Sequence, residues 1–138
     1  MLDKNGLKAV LKTAVASGAF PASGVALSAA IVSYVMANGT PKSPTISYTL
    51  APATGVGWAA LISKASSKGV ADYIISDAIA VEFASSTKVI PAPHGTTTVS
   101  MSFNTGAKVS DMSGVKEFDE TWDKIATAII EFFKPEVE

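Results

Sequence analysis

GVALSAAIVSYVMANGTPKSPTISYTL, residues 24–50, holds a helix, a turn and a strand in quick succession. Val25, Ala29, Ile31, Val32, Val35 and Met36 make its first half apolar at helical spacing, and Asn38 with Gly39 supplies the stop. Pro41 and Pro44 hold the next residues extended. Ile46, Tyr48 and Leu50 then alternate with Thr45, Ser47 and Thr49, the period of two expected of a sheet with one wet face. A weaker echo of this order runs from Gly69 to Phe103, where a helix is again followed by a Pro-rich turn and a cleaner alternating strand. The fold class is therefore mixed, and no catalytic motif accompanies it.

Upstream, a helix from Asp3 or Asn5 to Ser17 sets Leu7, Val10, Leu11, Ala14 and Val15 on one face, while Lys4, Lys8 and Lys12 recur on another. Gly18 stops it, Pro21 prevents its continuation, and Ser23 is the N-cap candidate of the second helix. So short a link makes the two a helical hairpin. Downstream, a loop from Ala51 to Gly57 leads into a third helix with Trp58, Leu61, Ile62 and Ala65 on one face and a stop at Lys68-Gly69. A fourth helix is expected from Val70 to about Ala84, with Val70, Tyr73, Ile74, Ala78 and Val81 in register and Asp72, Asp77 and Glu82 as its wet edge.

Lys88, Val89 and Ile90 form a short β segment ahead of Pro91-Ala92-Pro93. In the strand Thr96 to Phe103, residues Thr97, Val99, Met101 and Phe103 alternate against Thr96, Thr98, Ser100 and Ser102. Ala107 to Val109 is a candidate hairpin partner for it. The last helix lies within residues 115–134, its stripe made by Trp122, Ile125, Ala126, Ile129, Ile130 and Phe133. Whether Glu136-Val137-Glu138 is ordered or frayed is not set by the sequence, although a terminus beyond a proline such as Pro135 is usually mobile. The expected architecture is one α+β domain spanning residues 1–138, with about five helices packed on one face of a small, mainly antiparallel sheet. A weak internal repeat relates residues 3–50 to 57–103.

Composition excludes several function classes. Of the 138 residues 48% are hydrophobic and only 17% charged, with a mean hydropathy of +0.33, so the surface must be Ser, Thr, Gly and Ala or be covered by other protein. A net charge of −1 and the absence of Arg give no basis for sequence-specific nucleic-acid binding. The absence of Cys removes disulfides, thiolate catalysis and Cys-ligated zinc. Met1 to Gly6 lacks the profile of a secretory signal, and the uncharged run from Gly24 to Ala37 is too short to span a bilayer.

Candidate chemistry is sparse. His94, the one histidine, stands in a turn without a second His or a carboxylate nearby in sequence, so a hydrolase or isomerase using it is the weakest reading. Asp111, Glu117, Asp119, Glu120 and Asp123 cluster around the start of the last helix, but lack the ladder of a calcium loop and read as its solvated beginning. Gly55-Val56-Gly57 opens a helix and invites an anion, yet it lacks both the Rossmann and the P-loop spacing and reads as a turn. No catalytic residue, metal ligand or cofactor site is expected. The alternative to a contact protein is a module binding an apolar ligand such as a lipid in a pocket beside Trp58, Tyr73 and Trp122.

Ala30-Ile31-Val32-Ser33-Tyr34-Val35 recurs in form as Ala128-Ile129-Ile130-Glu131-Phe132-Phe133 and more loosely as Ala78-Ile79-Ala80-Val81-Glu82-Phe83. Small-large-aromatic packing suits any helix that ends on a sheet. A Lys-rich amphipathic helix from Leu7 to Ser17, a second ending Ala30 to Val35, and an extended Thr/Ser/Pro strand also resemble small structural proteins of tailed bacteriophages over about the first fifty residues. This chain differs in lacking acidic residues before the Ala-Ile pair and in its further helices. The resemblance implies a non-enzymatic component of the neck, tail or baseplate, assembled in the host cytoplasm into the virion through contacts with its own copies and other virion proteins. Thr96, Thr98, Ser100, Ser102 and Phe132 are the candidate contact residues.

Overall fold

The computed structural model describes residues 1–16, 22–43, 45–52, 55, 57–58, 73–74, 79–93, 95–109 and 118–138. Helix α1 (Lys4–Ala16) starts at Asp3, whose carboxylate accepts the Gly6 N–H at 2.8 Å while its carbonyl accepts that of Leu7 at 3.0 Å. This side-chain cap satisfies a donor that the first turn leaves open. Leu7 and Leu11 are fully buried, and Val10, Ala14 and Val15 pack around them, as the spacing predicts.

Helix α2 (Ala22–Asn38) packs on α1. The Tyr34 hydroxyl clasps the Asp3 backbone, accepting its N–H and donating to its carbonyl, each at 2.9 Å. A methyl group at Gly6 would stand 2.8 Å from that hydroxyl, so the close approach of the helices depends on glycine. Leu27, Ile31 and Val35 are the core face of α2, whereas Val25 and Met36 are exposed. Helix α3 (Phe118–Phe133) packs on the other side of α1, burying Trp122, Ile125, Ala126, Ile129 and Phe133. Asp123 of α3 lies 3.4 Å from both Lys4 and Lys8 of α1.

The strands are β1 (Ser47–Thr49), β2 (Tyr73–Ile74), β3 (Thr87–Ala92), β4 (Gly95–Ser100) and β5 (Lys108–Val109). One antiparallel sheet has the order β1-β3-β4, and β2 and β5 form a separate antiparallel pair. The three-stranded sheet meets the core at one end, through Tyr48 of β1 and through Leu50 and Met101 just beyond β1 and β4. Beyond Val89 the β3–β4 hairpin carries exposed residues on both strands, from Ile90 and Pro91 across to Thr96, Thr97 and Thr98. It stands out from the body as an arm.

Four expectations need correction. Among the described residues there are three helices and not about five, and they pack mainly on one another instead of in a layer across one sheet face. The fourth expected helix is replaced by strand at Tyr73–Ile74 and by turns from Ile79 to Ser85, so the echo in residues 57–103 does not repeat α2. Its both-sided apolar run had no clear helical face, and Tyr73 with Ile74 suits a strand that finds a partner. That partner is Lys108–Val109, so Ala107 to Val109 does not return against the strand that begins at Gly95. Glu82, expected on a wet edge, is 1% exposed, and Val81 beside it is 64% exposed. Gly57 and Trp58 are helical, while the rest of the third expected helix lies outside the described residues.

The last residues, which the sequence left open, are ordered against the segment after α2. Val137 is fully buried and bridges Pro41, with Thr40 and Glu138 exchanging backbone hydrogen bonds at 2.7 and 2.9 Å and the Lys42 N–H reaching the Glu136 carbonyl at 3.0 Å. A terminal segment is mobile only when nothing ties it down, and here the segment after α2 does so. Gly39 permits it: a methyl there would press on Val137 and stand 2.6 Å from the Val35 carbonyl.

Candidate functional site

The hydrogen-bond phase of β4 follows from its sequence neighbours. Pro91 has no N–H, and two residues separate Ala92 from Gly95, so Ala92 and Gly95 form the hydrogen-bonded pair that closes the hairpin and Pro91 faces Thr96 without a bond. Alternation then directs the backbone groups of Gly95, Thr97 and Val99 toward β3. The Met101 N–H continues that series, donating to the Ser86 carbonyl at 3.1 Å. Thr96, Thr98 and Ser100 therefore aim their N–H and C=O groups away from β3, at the outer edge of the sheet.

The same outward series is closed just downstream. Ser102 N–H donates to Glu136 Oε1 at 3.0 Å, and Asn104 N–H donates to the Phe132 carbonyl at 2.9 Å. Glu136 also holds the Lys88 ammonium at 2.8 Å, with the two side chains only 10% and 21% exposed. Upstream, no described residue meets the outward groups of Thr96, Thr98 and Ser100, and all three residues are exposed. The opposite sheet edge has its own closure. Val89 and Thr87 pair with Ser47 and Thr49, and the next position in phase is Pro91, which offers no donor. The chain leaves β1 there in a turn, with Ile46 N–H bonded to the Ser43 carbonyl at 3.0 Å.

The open edge carries no charge, proline or bulge, the devices that ordinarily protect an edge strand. Thr96, Thr98, Ser100 and Ser102 are thus brought to one line, of which, among the described residues, only Ser102 is met by another part of the chain. Phe132 is elsewhere: fully buried, it stacks on Phe103 at 4.6 Å and meets Phe133 edge-on at 5.2 Å. Spacing alone could not distinguish a wide buried stripe from a stripe with one free side. Sequence reasoning missed Glu136, whose carboxylate ends the open line at Ser102, because a single carboxylate beyond the last helix gives no periodic signal.

Of the residues expected beside an apolar-ligand pocket, two are described with their side chains. Trp58 and Trp122 are 0% and 1% exposed, and the Trp58 indole donates to the buried Ser28 hydroxyl at 2.8 Å. Both belong to the packed core, and Tyr73 lies in β2. An open cleft of about 270 Å³ lies elsewhere, with Leu2, Ile130 and Val137 on its wall. The anion position suggested at Gly55 is filled from within: Glu82 Oε1 accepts the Gly55 N–H at 2.6 Å just before helical Gly57 and Trp58, and Gly55 has φ +82°. Of the acidic cluster, Asp123 engages Lys4 and Lys8, and Glu120 is exposed. Asp111, Glu117 and His94 lie outside the described residues. Among the described residues no three His, Asp or Glu side chains converge to hold a metal ion, and no helix is long and apolar enough to cross a membrane.

The fold and this edge define an α+β domain whose β3–β4 hairpin presents a strand edge that no other described residue meets. No known protein family, characterised protein or solved structure matches the chain.

Proposed function

We propose that this protein is a non-enzymatic assembly component of a tailed-phage particle, in the neck, tail or baseplate, and that it works through protein–protein contacts. The observation that carries the reading is the uncharged, unprotected edge of β4 on a hairpin that stands clear of the core. Such an edge is a liability in a free monomer and an asset in a protein that adds strands to a neighbour. The low charge, and Val25 and Met36 exposed on an uncharged α2, fit the same use. The phage setting rests on the resemblance of the first fifty residues.

The test is the mass of the purified protein across a concentration series, by light scattering after size exclusion. A discrete oligomer or a growing polymer is the expected result. A strict monomer of 14.2 kDa at every concentration contradicts the reading.

A further inference from the structure

We infer that the partner of the β4 edge is a second copy of this chain, paired antiparallel about a two-fold axis that passes through Thr98. The inference rests on the assembly reading and gives it a specific contact. Three outward-facing residues, Thr96, Thr98 and Ser100, occupy alternate positions with Thr98 at their centre. An antiparallel copy brought against them in that phase places Thr98 opposite Thr98 of the partner subunit and Thr96 opposite Ser100 of the partner subunit. Each pair exchanges two backbone hydrogen bonds, so every outward group of the three residues is used. An isologous contact requires such self-complementarity, because one patch must serve as both halves.

The chemistry of the edge favours a copy of itself. The segment Gly95–Ser100 is GTTTVS, without a charge, so self-pairing sets no like charges opposite each other. The facing side chains become Thr-Thr and Thr-Ser pairs on one sheet face, combinations that stabilise antiparallel neighbours. Both ends of the ladder are set by the chain. Glu136 already occupies the next outward N–H, at Ser102, and at the other end the hairpin turns between Ala92 and Gly95. The register therefore cannot lengthen by sliding toward Ser102. Three residues per copy is far below the roughly 20–30 per side of a stable interface. The pairing accordingly depends on concentration.

Wild type, Thr98→Pro and Thr98→Lys are compared by light scattering across a series reaching about 1 mM. Proline removes the outward N–H at the axis, and lysine sets two ammonium groups across it. Neither disturbs a bond to β3, and circular dichroism of each variant checks that it stays folded. The expected result is a wild-type mass rising from 14.2 kDa toward twice that value, a Thr98→Pro variant held at the monomer mass, and a Thr98→Lys variant whose dimerisation weakens by about tenfold or more and recovers in high salt. If Thr98→Pro does not fold, the salt-dependent loss in Thr98→Lys still decides the question. A wild-type oligomer that persists unchanged in the folded variants overturns the inference and leaves the assembly reading standing. A wild-type monomer throughout overturns both.

Discussion

Gly95–Ser100 and Met101–Asn104 are consecutive stretches of one chain, yet their outward backbone groups meet opposite fates. In the second stretch Glu136 takes the Ser102 N–H and Phe132 takes that of Asn104, and Met101 is buried between the sheet and the helices. In the first, nothing among the described residues meets Thr96, Thr98 or Ser100. The difference lies in what stands beside the strand and not in the strand itself. The end of α3 and the residues after it line the second stretch, and they stop where the arm begins. An edge is therefore open or closed according to its neighbours, and propensity alone does not reveal which.

The largest way to break this contrast is to remove the body that closes the second stretch. Phe133 meets Phe83, Phe103 and Phe132 edge-on at 5.2–5.4 Å. Phe133→Ala should cost about 3–5 kcal/mol, read as a lowered denaturant midpoint with little change in slope. Next comes the closure itself. Glu136→Ala strands the Lys88 ammonium and the Ser102 N–H together, with an expected loss of about 2–3 kcal/mol and faster exchange at the Ser102 amide. A variant as stable as wild type would show that Glu136 closes nothing of consequence.

Gly39→Ala sharpens the role of Val137. The added methyl crowds both Val137 and the Val35 carbonyl, and a loss of about 1–3 kcal/mol is expected in thermal or chemical unfolding. Alkaline pH probes the same region. Burial raises the Tyr48 phenol above its ordinary 10.0, and its hydroxyl donates to the Val35 carbonyl at 3.2 Å. The folded state therefore holds this proton more tightly than the unfolded chain. Its contribution is complete below pH 10 and lost as pH rises through the folded-state value, so stability should fall in that alkaline range, and Tyr48→Phe should flatten the fall. The smallest effect belongs to the open edge. Thr96→Ala should change monomer stability by no more than about 0.5 kcal/mol, since that residue is exposed and no described residue bonds to its side chain.

Legibility in the sequence followed the strength of periodicity. α1 and α3 were readable because Leu7, Leu11, Ile125 and Ile129 recur at helical spacing against lysines and carboxylates, and burial agrees with that pattern. β1 was readable for the same reason at period two, with Leu50 buried and Ser47 and Thr49 exposed. The segment around Tyr73 was not, because two adjacent apolar residues beside a few scattered carboxylates suit helix and strand alike, and only the distant Lys108–Val109 decides. Glu82 and Val81 show a further limit: a buried carboxylate bonded to the Gly55 N–H reverses the usual sorting of polar and apolar residues. At the candidate site the alternation of Thr96, Thr98, Ser100 and Ser102 was visible, whereas the division between open and occupied positions depends on a carboxylate 34 residues away from Ser102.

Residue-resolved amide exchange by NMR on dilute protein tests the central claim most directly. Slow exchange is expected at Thr97, Val99, Met101, Ser102 and Asn104, and fast exchange at Thr96, Thr98 and Ser100. Protection of Thr96, Thr98 and Ser100 equal to that of Thr97 and Val99 in the monomer would contradict it, because the edge would then already be closed.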